Sequence, residues 1–405
     1  MMDRRLPLEG VRVVDFGQAV AVPFATQMLA RMGAEVILVE THQRLGNREW
    51  PPFAEDVRGL NRSGLFNSYH GSKLSFTVNL RTEAGNGIIR DLIGISDVVA
   101  ENYSTGTMER LGLGYRDLLL LRPDIIMLSM SALGRSGPMS HFVGYHSAVL
   151  MFSGLAAITG YPQGHPRILG SVFPDPISGM YAVFAVLGAL YRRSRTGMGQ
   201  YIDAAMTEGM MTLMPEAIAD YTLNGREPAR VGNRDPVKAP HGVYPCRGEE
   251  AWIAISVGSD SQWDALCDVV GHPEWTRDPR FSEPMARTQH QEELDALLEG
   301  WTRERSPHDA MRLLQNAGVP AGPSFTTADL LEDPHLRQRG FIADVDHPEA
   351  GRRLKASVPW QISDLPPVNH RHAPLIGQHN CYVLCELLGL PPQEAERLVE
   401  EGVIH

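Results

Sequence analysis

Two runs rich in β-branched residues, Val11–Phe16 (VRVVDF) and Glu35–Glu40 (EVILVE), flank a helical stretch from about Pro23 to Met32. No other feature restricts the fold as much. Two strands joined through a helix of this length lie parallel, with a right-handed crossover. Pro23 stands near the start of that helix and Gly33 just past its end, the usual asymmetry of helix termini. The alternation continues with a strand at Ser75–Asn79, a helix capped by Thr82 and running to about Ile95, and a strand at Val98–Glu101. A helix around Tyr115–Leu121 and a strand at Ile125–Met130 follow. The expected architecture is α/β, a doubly wound, Rossmann-like parallel sheet.

In such sheets ligands bind beyond the carboxyl ends of the strands. That directs attention to Gly17–Ala21, Thr41–Arg44, Asn102–Gly106 and Ser131–Gly137. The first βα turn, FGQAVAVPFA, lacks G-x-G-x-x-G, and no G-x-x-x-x-G-K-[ST] occurs. Neither a dinucleotide site nor a P-loop is expected.

A chain of 405 residues exceeds one ordinary core, so two domains are expected. Around Asn224–Gly242 the composition turns to Arg, Pro, Gly and Asn, which reads as a linker. Shorter elements from Gly242 to about Val319 suggest a smaller α+β domain. The content of 43% apolar and 21% charged residues suits a soluble globular enzyme. The net charge of −11 repels nucleic acid and anionic lipid, so neither is an expected partner. The start MMDRRLPLEG has no apolar core and no run of about 20 apolar residues occurs, so a cytoplasmic protein with no membrane contact is expected. Lys73, Lys238 and Lys355 are the only lysines; the other 34 basic residues are arginines, so phosphate contacts would fall to Arg and backbone amides. The four cysteines suit neither a disulfide framework nor a metal site. Cys381 and Cys385, at i and i+4, read as two buried small residues of one helix around Asn380–Leu388, which Gly389 would end.

Asp175 begins a long apolar helix in SVFPDPISGMYAVFAVLGAL. Two readings fit it. Asp before Pro is a favoured N-cap, with Pro176 as first helical residue. The same geometry favours an ionised carboxylate, because free amides and the helix dipole face it, and its ordinary pKa of about 3.9 leaves it charged at neutral pH. Such a group could attack a thioester without a separate base.

Read in order, LEGVRVVDF, MGAEVILVE, GSKLSFTVNLRTEAG, SDVVAENYSTGTMERLGLGY, LGRSGPMSHFVGY, SGLAAITG, FPDPISGMYAVFAVLGALYRRSRTGMGQYIDAAM, VGSDSQW, NAGVPAGP and APLIGQHN resemble the class III CoA-transferases. These include formyl-CoA:oxalate and carnitine CoA-transferases, and the resemblance spans almost the whole chain. It implies that Asp175 is the nucleophile, with a coenzyme A thioester as substrate rather than as a permanently bound cofactor, and a free carboxylic acid as acceptor. It implies a large domain of residues 1–225 completed by 331–405, a small domain with linkers at 226–330, and an interlocked homodimer, each chain threaded through the other. Carried over by position, Val20 and Ala21 would line the adenine side; Val78, Asn79 and Arg81 would contact the nucleotide. Asn102, Tyr103 and Arg110 would hold the pantetheine and phosphates. Tyr145 and His146 would shape the acceptor pocket, and Gly258 and Ser259 would belong to a loop over the intermediate.

Several positions depart from the pattern. Thr41 replaces an Arg, with Arg44 nearby as a substitute; His70 stands where many members have Asn or Arg; Val143 replaces a Lys. The loop Val257–Asp260 has one glycine, which argues against an oxalate-type lid. Arg81 and Arg110 also fit solvated helix charges, and Tyr103 and Tyr145 core aromatics, while His70 and His146 fit supporting roles better than catalysis. An α-methylacyl-CoA racemase would need a His beside the shared Asp, but Tyr145 occupies that place, and a phenol is a poor base at neutral pH. A non-catalytic subunit of a heteromer is the remaining alternative. GNREWPPF and FNSYHGSKLSF resemble the branch acting on succinyl-CoA and aromatic succinates, whose members are thought to work as pairs.

Overall fold

The structure, a computed structural model, describes residues 6–42, 45–170, 172–365, 368 and 370–405. Arg44 lies outside the described residues. The chain divides into two compact units. The first comprises Met1–Ala156, Ile168–Arg226 and Pro334–His405, and the second Ala157–Arg167 and Glu227–Asp333.

The first unit holds a six-stranded sheet of β1 (Arg12–Asp15), β2 (Glu35–Glu40), β3 (Leu74–Thr77), β4 (Val98–Glu101), β5 (Ile126–Ser131) and β6 (Gln200–Ala205). Every pairing is parallel and the order is β3-β2-β1-β4-β5-β6. Helices α1 (Ala21–Arg31), α2 (Glu83–Gly94), α3 (Tyr115–Leu121) and α4 (Pro174–Thr196) are its main helices. Alternate strand residues point to opposite faces. Val13, Val98, Ala100 and Leu128 therefore join α1 and α4 in one core, while Val14, Val99 and Met127 join α2 and α3 in the other. Strands buried on both faces explain the unbroken apolar runs of the sequence. Because the strand order reverses between β1 and β4, a crevice opens at their carboxyl ends.

Some boundaries moved. Helix α1 starts at Ala21 rather than Pro23, which falls within the first turn; amides there have no intrahelical partner, so proline costs nothing. Strand β3 ends at Thr77 rather than Asn79. Val78 instead bridges Ile404, and the Asn79 amide donates to the Val403 carbonyl at 2.8 Å, because the C-terminal segment takes over the pairing. Thr82 caps α2 as expected, accepting from the Gly85 amide at 3.1 Å. Cys381 is exposed and Cys385 only half-buried, against the expectation for both. Residues Tyr382–Leu387 form a wider π turn, at whose start the two thiols still meet each other.

The second unit carries a three-stranded antiparallel sheet of His241–Pro245, Trp252–Ser256 and Ala321–Pro323, with a core including Trp263, Phe281, Leu294 and Leu314. Among the described residues no helix is long and apolar enough to cross a membrane. No group of three or more His, Cys, Asp or Glu residues among them could hold a metal ion.

Candidate active site

A cleft of about 250 Å³ lies at the carboxyl ends of β1, β4 and β5, lined in part by Gln18, Ala19, Ala21, Asn102–Thr105, Ser131 and Ala132. Three of the four segments singled out from strand ends thus meet in one place. Thr41 lines a neighbouring pocket with Gly17, Gln18 and Tyr103.

Asp175 enters the same cleft from the start of α4. It is not the N-cap. Phe173 is already helical (φ −51°, ψ −46°), Pro174 takes the first helical position, and Asp175 follows within the first turn. The Asp175 amide donates to the Val172 carbonyl at 3.1 Å. Its carboxylate is correspondingly free of a capping role. Burial raises its pKa from 3.8 to about 6, opposed by hydrogen bonds from its own amide and that of Ala21. Sequence reasoning expected helix-end amides to dominate; desolvation outweighs them. The carboxylate is still mostly ionised at pH 7, and among the described residues no Lys or Arg lines the cleft to neutralise it.

The turn that presents Ala21 is held from two sides. The Asn102 carboxamide accepts from the Gln18 amide at 2.7 Å and donates to the Gln18 carbonyl at 2.8 Å. Below it, fully buried Asp15 accepts from the Gly17 amide at 2.7 Å and from Thr26 Oγ1 at 2.6 Å, and pairs with Lys73 Nζ at 2.8 Å. Lys73 is therefore spent on the scaffold. His70, buried and stacked on Phe66, is held neutral by burial and by the neighbouring Lys73 and Arg48 charges.

The remaining expected residues divide clearly. Tyr103, Tyr145 and His146 line the cleft with Asp175; Tyr145 is 66% exposed and so is not a core aromatic. Val20 and Val78 are buried, at 4% and 0% exposure, and their side chains offer no surface to a ligand. Ala21 serves the carboxylate through its amide. Asn79 caps the following turn, accepting from the Arg81 amide at 3.1 Å. Arg81 and Arg110 are exposed; Arg110 donates to Thr107 Oγ1 at 2.8 Å, and Thr107 borders the cleft. Gly258 and Ser259 lie in the second unit, where Ser259 caps the helix Asp260–Val270 and the Gly258 amide donates to Gln262 Oε1 at 2.8 Å.

Sequence reasoning missed Asn47, Trp50, Ser140, Phe142 and Met206 as cleft residues. None belongs to a strand end that periodicity reveals, except Met206 after β6. It also missed Tyr69, whose pKa is raised by burial and by the Asp175 charge. Ser131 Oγ is buried at the cleft wall with no hydrogen-bond partner among the described residues.

The chain is similar to known proteins over nearly its whole length. Residues 8–380 match the family model of CoA-transferase family III. Over 98% of both chains, the protein is 35% identical to succinyl-CoA–D-citramalate CoA-transferase of Chloroflexus aurantiacus. It is 33% identical to succinate–glutarate CoA-transferase of Agrobacterium fabrum, over 96% of this chain and 97% of that one. The crystal structure of a CAIB/BAIF family protein from Brucella suis superposes with a TM-score of 0.84 at 32% identity, covering 95% of this chain and all of the other. A strand-switch cleft with a buried carboxylate, on a chain matched from end to end in this way, belongs to a member of CoA-transferase family III, an enzyme acting on acyl-CoA and carboxylate.

Proposed function

We propose that the protein exchanges coenzyme A between an acyl-CoA and a free carboxylic acid through covalent intermediates on Asp175. One observation carries this reading: a carboxylate at a helix start in the cleft, held by the Ala21 amide, without a Lys or Arg partner among the described cleft residues, and with a pKa of about 6. It is ionised at neutral pH yet poorly solvated, which suits a nucleophile.

An Asp175 oxygen attacks the thioester carbonyl, the C–S bond breaks, and a mixed anhydride and CoA thiolate result. The thiolate attacks the Asp175 carbonyl carbon and releases the donor acid, leaving an aspartyl-CoA thioester. The acceptor carboxylate attacks that carbonyl and expels the thiolate, forming a second anhydride. Thiolate attack on the acceptor's acyl carbon yields the new acyl-CoA and restores Asp175. The Ala21 amide, which already donates to the Asp175 carboxyl, is suited to hold developing negative charge. Arg110, bonded to Thr107 of the cleft lining, and Arg81 would meet phosphates. Tyr145 and His146 would contact the acceptor, and Gly258 and Ser259 would cover the intermediate.

Succinyl-CoA is the proposed donor and a dicarboxylic or aromatic acid the acceptor; both relatives compared above carry succinyl or succinate in their names. An interlocked dimer in the cytoplasm completes the reading. The outward face of α4 supports a covering chain, with Tyr181 at 45%, Phe184 at 79% and Tyr191 at 64% exposure. Expression alone or with a related subunit, followed by sedimentation and assay, distinguishes homomer from heteromer.

The test incubates the protein with succinyl-CoA and a panel of acids and follows new thioesters by mass. Hydroxylamine should label Asp175 only while acyl-CoA is present. Exchange at the normal rate by Asp175→Ala, or no adduct on Asp175 during turnover, overturns the mechanism.

A further inference from the structure

Away from the cleft, a cavity of about 440 Å³ lies in the first unit between Leu6–Pro7, the end of α1, the segment 338–340 and residues within 357–365, with Val368 and His370. Its volume is in the range of small-molecule sites, about 300–1,000 Å³. The walls are largely apolar, with Met32, Val358, Trp360 and Ile362 among them. Arg31 projects from the last turn of α1 into this lining.

Arg31 is only 8% exposed, yet among the described residues no carboxylate pairs with it. Among the described residues its one hydrogen bond goes to the Ala356 carbonyl at 3.0 Å, which leaves most of its five donors without a partner there. Two further basic groups stand close enough to feel its charge. Lys355 is lowered to about 8, and His370 is lowered as well, each chiefly by burial and then by Arg31. His370 Nε2 lies 2.9 Å from Ser357 Oγ, and both line the cavity.

A buried guanidinium without a counter-charge is costly, and the Lys355 charge beside it raises the cost. Such a cluster is retained where an anion completes it. The apolar walls specify the rest of that anion. We propose that this cavity is a second ligand site, which takes a monocarboxylate with an apolar chain. The carboxylate pairs with Arg31, aided by Ser357 and His370, and the chain lies against Trp360 and Ile362. Inorganic phosphate lacks a body to fill the walls, and a neutral alcohol lacks the charge.

Titration calorimetry with octanoate, octanol and inorganic phosphate tests the site. The intact protein and Asp175→Ala should each bind one octanoate per chain, and bind octanol and phosphate at least about tenfold more weakly. Arg31→Leu should weaken octanoate by about tenfold or more while CoA exchange stays within about twofold. Its melting temperature should equal or exceed that of the parent, since an unpaired buried charge is gone. Ile362→Glu, on a residue that is 50% exposed and tolerant of change, should weaken octanoate by repulsion. Unchanged octanoate binding in both variants would place the ligand elsewhere and overturn the proposal. So would phosphate or octanol binding as tightly as octanoate. A changed sedimentation state in Arg31→Leu would overturn it too, by showing that Arg31 seats a second copy of the chain.

Discussion

The carboxamide of Asn102, at the end of β4, grips the backbone of Gln18, at the end of β1, by accepting at 2.7 Å and donating at 2.8 Å. Two neighbouring strands are thus locked where the sheet order reverses, and the turn leading to the Ala21 amide cannot drift. Asn102 was expected to hold coenzyme A; its polar atoms are engaged with the protein instead. Asn102→Leu should lower kcat by up to about 10²-fold, the scale of an ångström's misplacement at a reacting group. Steady-state kinetics should show this chiefly in kcat; a change confined to KM for acyl-CoA would favour the original expectation.

Asp175 sets a pH signature. With its pKa raised to about 6, the nucleophile is protonated as pH falls through 6, so exchange should drop there rather than near 4. The stability effect has the opposite sense. A carboxyl whose folded pKa exceeds its unfolded value stabilises the fold fully below the unfolded pKa, and that contribution is lost as pH rises through about 6. A shift of this size corresponds to at most about 3 kcal/mol, reduced by solvent in the cleft. Asp175→Asn should therefore be more stable than the parent at pH 8 but not at pH 4, as read by denaturant unfolding.

Gly179 lets α4 approach α1. A Cβ there would meet Phe24 Cδ1 at 2.8 Å and the Ala21 carbonyl at 3.0 Å. Gly179→Ala should push the helices apart, cost about 1–3 kcal/mol and carry Asp175 away from the Ala21 amide. Unfolding measurements together with a loss of exchange exceeding that of Asn102→Leu would show both effects. A stable, fully active variant would contradict the packing argument.

Arg48 is fully buried, forks onto Glu40 at 2.5 and 2.8 Å, reaches Asn61 Oδ1 at 2.9 Å and stacks over Phe66 at 3.7 Å. Beside it, Asn47 lines the cleft. Lysine has no planar fork to satisfy these partners. Arg48→Lys should destabilise the protein by about 3–5 kcal/mol, the scale of breaking a buried pair, measurable by urea unfolding.

Much of the site was legible in the chain because strand periodicity is local. VRVVDF, EVILVE and VVAE read as strands without any partner, and their carboxyl ends predicted the crevice where Gly17–Ala21 and Asn102–Gly106 meet. Asp175 was legible by its place before an apolar helix. Charge state and partnership were not legible, since they depend on what lies across space. Periodicity could not show that Asn102 binds Gln18, 84 residues away, or that Lys73 is consumed by Asp15, 58 away. Nor could it show that Val78 turns inward under a C-terminal strand bridge. Burial at Asp175 and Arg31 arises from the packing of distant segments around each charge, and desolvation of that kind has no signature in a run of letters.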